Sequence, residues 1–269
     1  MFLTKKGFKK ILVLGILYFV LGTVTISLSV LFMTLGISGI PLLMLGVLVY
    51  VLCVLVVLWG LYAEGKAKWI NLSNKLVRSE LKPAEFLKEY EELKGSNDLV
   101  IKKPSYDVLM HVAVAYDCLD EREKALAELE EMVDVAPEKK KSYALLVKTS
   151  FLFGYGETEE AEKLFNGLQA SKLGMMERSL ADAILKSDRA MAMGDYKVAE
   201  AHNLKLLDQR FPPLDKLSVL VVHNSLAKVY EKMNDCENAV IHYQYCKDNG
   251  GETAIRSLAE EALKRYLNC

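Results

Sequence analysis

No acidic side chain occurs before Glu64, and no charge of either sign occurs between Ile11 and Tyr62. A solvated surface cannot be built from such a stretch. Ile11–Leu35 and Ile40–Tyr62 each exceed the roughly 20 apolar residues that a helix needs to cross a bilayer, so two transmembrane helices are expected, over 11–35 and 40–62. The first run is too long for the core of a secretory leader and lacks a small-x-small cleavage site. It is expected to stay in the protein.

Other absences narrow the chemistry. There is no phosphate loop, dinucleotide fingerprint or His-Glu-x-x-His; Gly154-Tyr155-Gly156 is not followed by the Lys that a nucleotide loop requires. Ser225 and Lys228 form a Ser-x-x-Lys pair without its companion motifs. Five Cys, at 53, 118, 236, 246 and 269, show no close pairing. Cys236, His242 and Cys246 supply no fourth metal ligand, and His111, His202 and His223 stand without a partner pattern. The chain therefore reads as a non-enzyme with no metal and no cofactor. Of its 34 basic and 35 acidic side chains, residues 1–63 hold four Lys and no acid. The remainder carries a net charge of about −5, which argues against nucleic acid as a partner.

The apolar runs contain two ladders of small residues. Gly15, Gly22, Ser29 and Gly36 recur every seven positions in the first, and Gly39, Gly46, Cys53 and Gly60 in the second. Seven-residue spacing keeps one stripe facing a partner helix, and small side chains let two backbones approach closely. A tight antiparallel hairpin over 1–63 is expected, with Trp59 and Tyr62 at headgroup level. Lys5, Lys6, Lys9 and Lys10 precede the first run, and Lys66, Lys68, Lys75 and Arg78 follow the second. Positive flanks stay on the cytoplasmic side. Both termini are thus expected in the cytoplasm, with Gly36–Pro41 on the far side of a membrane read as the bacterial cytoplasmic one.

Beyond the apolar runs, four segments share one pattern when aligned on Ala125, Ala161, Ala199 and Ala239. Twelve positions earlier stand Ala113, Thr149, Ser187 and Ala227; nine earlier, Tyr116, Leu152, Ala190 and Tyr230; five earlier, the turn-forming Asp120, Gly156, Gly194 and Asn234. Four positions later come Leu129, Phe165, Asn203 and Tyr243. The pattern predicts a helix, a tight turn and a second helix, crossing closely where the small residues meet. The charge run Glu121–Glu131 then forms a solvated helix face. Such hairpins stack, because none can bury its apolar face alone.

This pattern resembles the tetratricopeptide repeat. With Tyr106 as position one, Leu109, Val112, Ala113, Tyr116, Ala125, Leu129 and Pro137 fall at signature places. The fourth unit carries Leu226, Ala227, Tyr230, Ala239 and Tyr243. Departures are Lys148 and Lys186 at a usually apolar position and Asn203 at a usually aromatic one. The spacings of 36, 38 and 40 exceed the family's unit of about 34. The fold class implied is all-α: two transmembrane helices, then an α-solenoid over 106–269. Residues 64–105 form juxtamembrane and capping helices, with Pro83 opening one whose inner side holds Phe86, Leu87, Tyr90 and Leu93. An amphipathic helix over 252–268 caps the end through Ile255, Leu258, Ala259, Ala262, Leu263, Tyr266 and Leu267.

The resemblance also implies a function. In this family the first helix of each unit lines a concave groove that binds another protein. Carried over by position, the groove holds Asp107, Met110, His111 and Val114, then Tyr143, Leu146, Val147 and Ser150. Ala181, Ile184, Leu185 and Asp188 follow, and then Val221, Asn224, Ser225 and Lys228. The Lys, Arg and Asn set with which chaperone-binding members clamp a terminal carboxylate is missing. The apolar middle suits an amphipathic helix of a partner, or else it is filled by the chain's own residues 83–94. A membrane-anchored adaptor or scaffold is expected, with an accessory subunit of a transport or secretion complex as the alternative and an extracytoplasmic array as a third reading. If both termini are cytoplasmic, a fluorescent protein fused after Cys269 should fluoresce and a phosphatase that works only outside the cytoplasm should stay inactive there. Active phosphatase at that junction would reverse the topology.

Overall fold

The computed structural model describes residues 5–36, 40–94, 104–168, 173–208 and 213–266. Gly39, Leu267, Cys269 and the side chain of Leu93 lie outside the described residues. Among those described, the fold is all-helical. The chain divides into two units, Met1–Trp69 and Ile70–Cys269. The second apolar helix runs unbroken past residue 63, through Lys66 and Lys68, to Ser73.

The first unit consists of α1 (Lys5–Thr34) and most of α2 (Ile40–Ser73). Among the described residues one helix, Met44–Ser79, is long and apolar enough to cross a membrane, and Gly22–Thr34 is a shorter apolar stretch. Gly15, Gly22, Ser29, Gly46, Cys53 and Gly60 are buried among exposed aliphatic neighbours. A Cβ on Gly15 would come within 2.6 Å of Val57 Cγ2, and one on Gly46 within 2.9 Å of Thr25 Oγ1. Those pairings make the helices antiparallel, with the two small-residue stripes facing each other. Ser29 donates its hydroxyl to Thr25 O within its own helix. Gly36 departs from the ladder: it is exposed, with φ of 73°, and the chain leaves α1 there.

In the second unit α2 passes into a π-helical segment, Asn74–Ser79. α3 (Pro83–Lys94) then packs on α4 (Tyr106–Asp117). Phe86, Leu87 and Tyr90 are buried on its inner side, and Tyr116 donates to Glu91 across the contact. Four helix pairs follow. They are α4 with α5 (Arg122–Val135), α6 (Glu138–Tyr155) with α7 (Thr158–Gly167), α8 (Met175–Ile184) with α9 (Tyr196–Leu207), and α10 (Lys216–Lys232) with α11 (Cys236–Asn249). α8 continues through a π-helical turn, Leu185–Arg189, into Ala190–Ala192.

One turn joins the helices of every pair. Asp120, Gly156, Gly194 and Asn234 have φ of 60°, 86°, 80° and 58°. The next residue's N–H returns to the carbonyl five back: Glu121 to Tyr116, Glu157 to Leu152, Asp195 to Ala190 and Asp235 to Tyr230, at 2.8–3.0 Å. The left-handed residue itself donates three back, to Asp117, Phe153, Met191 and Glu231. These two bonds satisfy carbonyls that a helix end otherwise leaves open. Five residues beyond the turn, Ala125, Ala161, Ala199 and Ala239 are all fully buried, as are Ala113, Thr149 and Ala227 opposite.

α12 (Ala254–Tyr266) closes the chain. It docks through Ala259 and Ala262, with Ile255, Leu263 and Tyr266 half-buried. Leu258, expected on the apolar stripe, is 42% exposed, because the helix meets α11 on its two alanines and leaves the edge of the stripe outside. Ala239→Leu should destabilise the full chain in detergent by about 1–3 kcal/mol through overpacking. Asn234→Val should cost about 1–2 kcal/mol through its left-handed backbone. Melts in which Glu123→Gln costs as much as either would refute the register.

Candidate functional site

The inner register comes from α4, α6, α8 with its π turn, and α10. Met110, Val114, Tyr143, Val147 and Asn224 are half-buried there, while Leu185 and Lys228 are exposed. Tyr143 reaches from α6 to Met110 Sδ on α4 at 3.9 Å. Leu146 and Ile184 differ from the rest of the expected groove, being shut inside a core with Leu152, Phe153, Ala161 and Leu173. α6 and α8 pack side by side, so these two positions face the neighbouring inner helix and no open surface remains at them.

Polar bridges cross from one pair to the next. Tyr155 donates to Asp117 at 2.7 Å, and Ser150 to Asp188 at 2.5 Å. Asn203, 2% exposed, accepts from Ser187 and donates to Ser225 at 2.9 Å. Lys148 lies between Glu130 and Glu160 on the outer helices, and Arg189 pairs with Glu162. Each departure from the repeat pattern thus has a polar partner: Lys148 has Glu130 and Glu160, Lys186 has Asp182, and Asn203 has Ser187 and Ser225. Lys148 and Asn203 replace apolar packing by hydrogen bonds and ion pairs that no single repeat encodes.

The alternative occupant of the groove, residues 83–94, lies elsewhere. α3 lies on the first pair, where Tyr90 feels the charges of Glu128 and Glu131. The residues from Ser73 to Leu81 run instead against the inner helices. Ser73 Oγ lies 3.0 Å from His111 Nδ1, and Arg78 donates to Asp215 Oδ2 at 2.8 Å. Leu76, Val77 and Leu81 are buried. The charge of Arg78 also reaches His111, Tyr143 and Cys118. Asp215 is fixed as well by the Ser218 N–H, where it caps α10. Beyond the segment, Leu81 O accepts from Glu252 N and Cys118 O from Ala254 N. First pair, last pair and joining segment are therefore tied together.

Titration follows from this packing. Burial, followed by the charge of Arg78, lowers the His111 pKa to about 4, against a smaller opposing pull from Asp107. His223 is likewise lowered to about 4 by burial and by His242, whose Nδ1 is 2.8 Å from its own. Tyr245 stacks on His223, and Tyr230 on His242. Asp188 keeps some residue exposure, but its carboxyl is desolvated and rises to about 6 despite Ser150 and Ser187. Cys246 donates to Leu220 O, and no group of three His, Cys, Asp or Glu suited to a metal occurs among the described residues. No family model, curated protein or solved structure matches the chain.

A histidine whose folded pKa is depressed stays neutral while the unfolded chain takes up a proton. Stability contributed by His111 is therefore complete above about 6.5 and drains as pH falls toward about 4. The loss is on the order of 2–3 kcal/mol. His111→Asn should flatten that acid loss in urea titrations between pH 7 and 4. Asp188 has the opposite sign, since its folded pKa is raised, so Asp188→Asn should stabilise the chain at pH 7 by about 1–2 kcal/mol. That gain should fade as pH falls from about 6 toward 4. An unchanged acid slope in His111→Asn would contradict the buried, neutral imidazole.

Proposed function

We propose that the chain is a membrane-anchored adaptor: two spanning helices hold a tetratricopeptide-like solenoid on the cytoplasmic face, and its inner groove binds a helical segment of another protein. The observation carrying this reading is that the inner register already receives the stretch Ser73–Leu81 through two polar contacts, with Leu76, Val77 and Leu81 buried. A surface that accepts such a segment has the chemistry of helix-in-groove recognition. The fourfold recurrence of the same left-handed turn and crossing alanine supports the repeat reading. The length of α1 and α2, their facing small-residue stripes and the basic flanks support a two-span anchor. No turnover is assigned to it; the chain works by recruitment.

The test is affinity recovery of the full chain in mild detergent, with mass spectrometry of what comes with it. A soluble partner lost on Asp215→Ala is the expected result. A fixed set of integral membrane proteins, indifferent to Asp215, would favour the accessory-subunit alternative.

A further inference from the structure

The element that joins α2 to the repeats is held in a costly conformation. Its backbone widens into a π-helix at Asn74–Ser79, with Glu80 N bonding to Lys75 O. Such turns are rare and persist where other contacts over-determine them. Leu81 follows with φ of 55°, a left-handed state that costs a branched L-residue about 1–2 kcal/mol. Tertiary contacts of Ser73, Val77 and Arg78 hold this geometry. Strain of this kind gathers at clamps and switches.

We propose that the inner face is a receptor for a short helical segment bearing a hydroxyl, an aliphatic pair three and four positions on, and an arginine five positions on. Ser73–Arg78 fills it in cis until a partner protein's segment of that pattern displaces it. This rests on the adaptor reading and names its ligand class. His111 meets the hydroxyl, and Asp215 meets the arginine with its second hydrogen bond already given by Ser218 N–H. The tethered segment has the advantage of a high effective concentration. A segment arriving in trans has a different one: it makes the same side-chain contacts without the left-handed Leu81.

The test uses the full chain in detergent micelles and, as probe, a fluorescein-labelled synthetic peptide covering residues 70–82. Arg78→Ala weakens the cis occupant and leaves the receptor intact, so the peptide should bind that variant about tenfold more tightly than wild type or better. Adding Asp215→Ala should abolish the gain. Ser73→Ala deletes one buried hydroxyl, so it should give a smaller gain in the same direction even where Arg78→Ala does not fold. Either variant that keeps its helical melt yet takes up no more peptide than wild type overturns the inference. A partner recovered equally with wild type and Arg78→Ala, without peptide uptake, sinks the receptor and leaves the adaptor standing. Peptide uptake with no recoverable partner does the reverse.

Discussion

Each helix pair depends on one close crossing, and each crossing on a fully buried alanine placed five residues after a left-handed turn. Ala125, Ala161, Ala199 and Ala239 have no exposed surface. A larger side chain there would separate helices whose turn has no slack, because both the fifth and the third preceding carbonyls are already bonded to it. The turn thus fixes how far apart the helices start, and the alanine permits how close they come. Residues that tolerate a positive φ are needed at one place and small residues at the other, which is why the two recur together.

The pairs are then joined by chemistry that varies from one junction to the next. Leu146 and Ile184 bury apolar surface between the second and third pairs, while Ser150 with Asp188, and Ser187 with Asn203 and Ser225, form polar bridges around the same region. The raised Asp188 carboxyl shows that this solution has an electrostatic cost at neutral pH. At the other side of the array, the loop before α12 bonds to both Leu81 and Cys118. The segment entering from α2 is thereby gripped by the first and last pairs together.

Much of this was legible in the sequence because it is local. The turn residues, crossing alanines and seven-residue ladders all repeat at fixed offsets, and Gly15, Gly22, Gly46 and Gly60 are buried where the ladders placed them. What escaped is long-range. Arg78 meets Asp215 across 137 positions, and nothing beside either residue signals the other. Leu81 adopts a left-handed backbone without a Gly or Asn to announce it, whereas residues 83–94 carry a clear amphipathic pattern. Leu146 and Ile184 share the register of the groove positions and are buried, since a register gives the face of a helix and not the distance to its neighbour.

The central contact of the repeat unit is the seating of Asn74–Lys82 against α4 and α10. Hydrogen–deuterium exchange on the full chain in nanodiscs measures this directly, through the Glu80 and Lys82 amides that bond to Lys75 O and Leu76 O. Seating predicts that these amides exchange as slowly as those of α10 and faster after Arg78→Ala. Exchange at the rate of an open linker in the wild-type chain would contradict it.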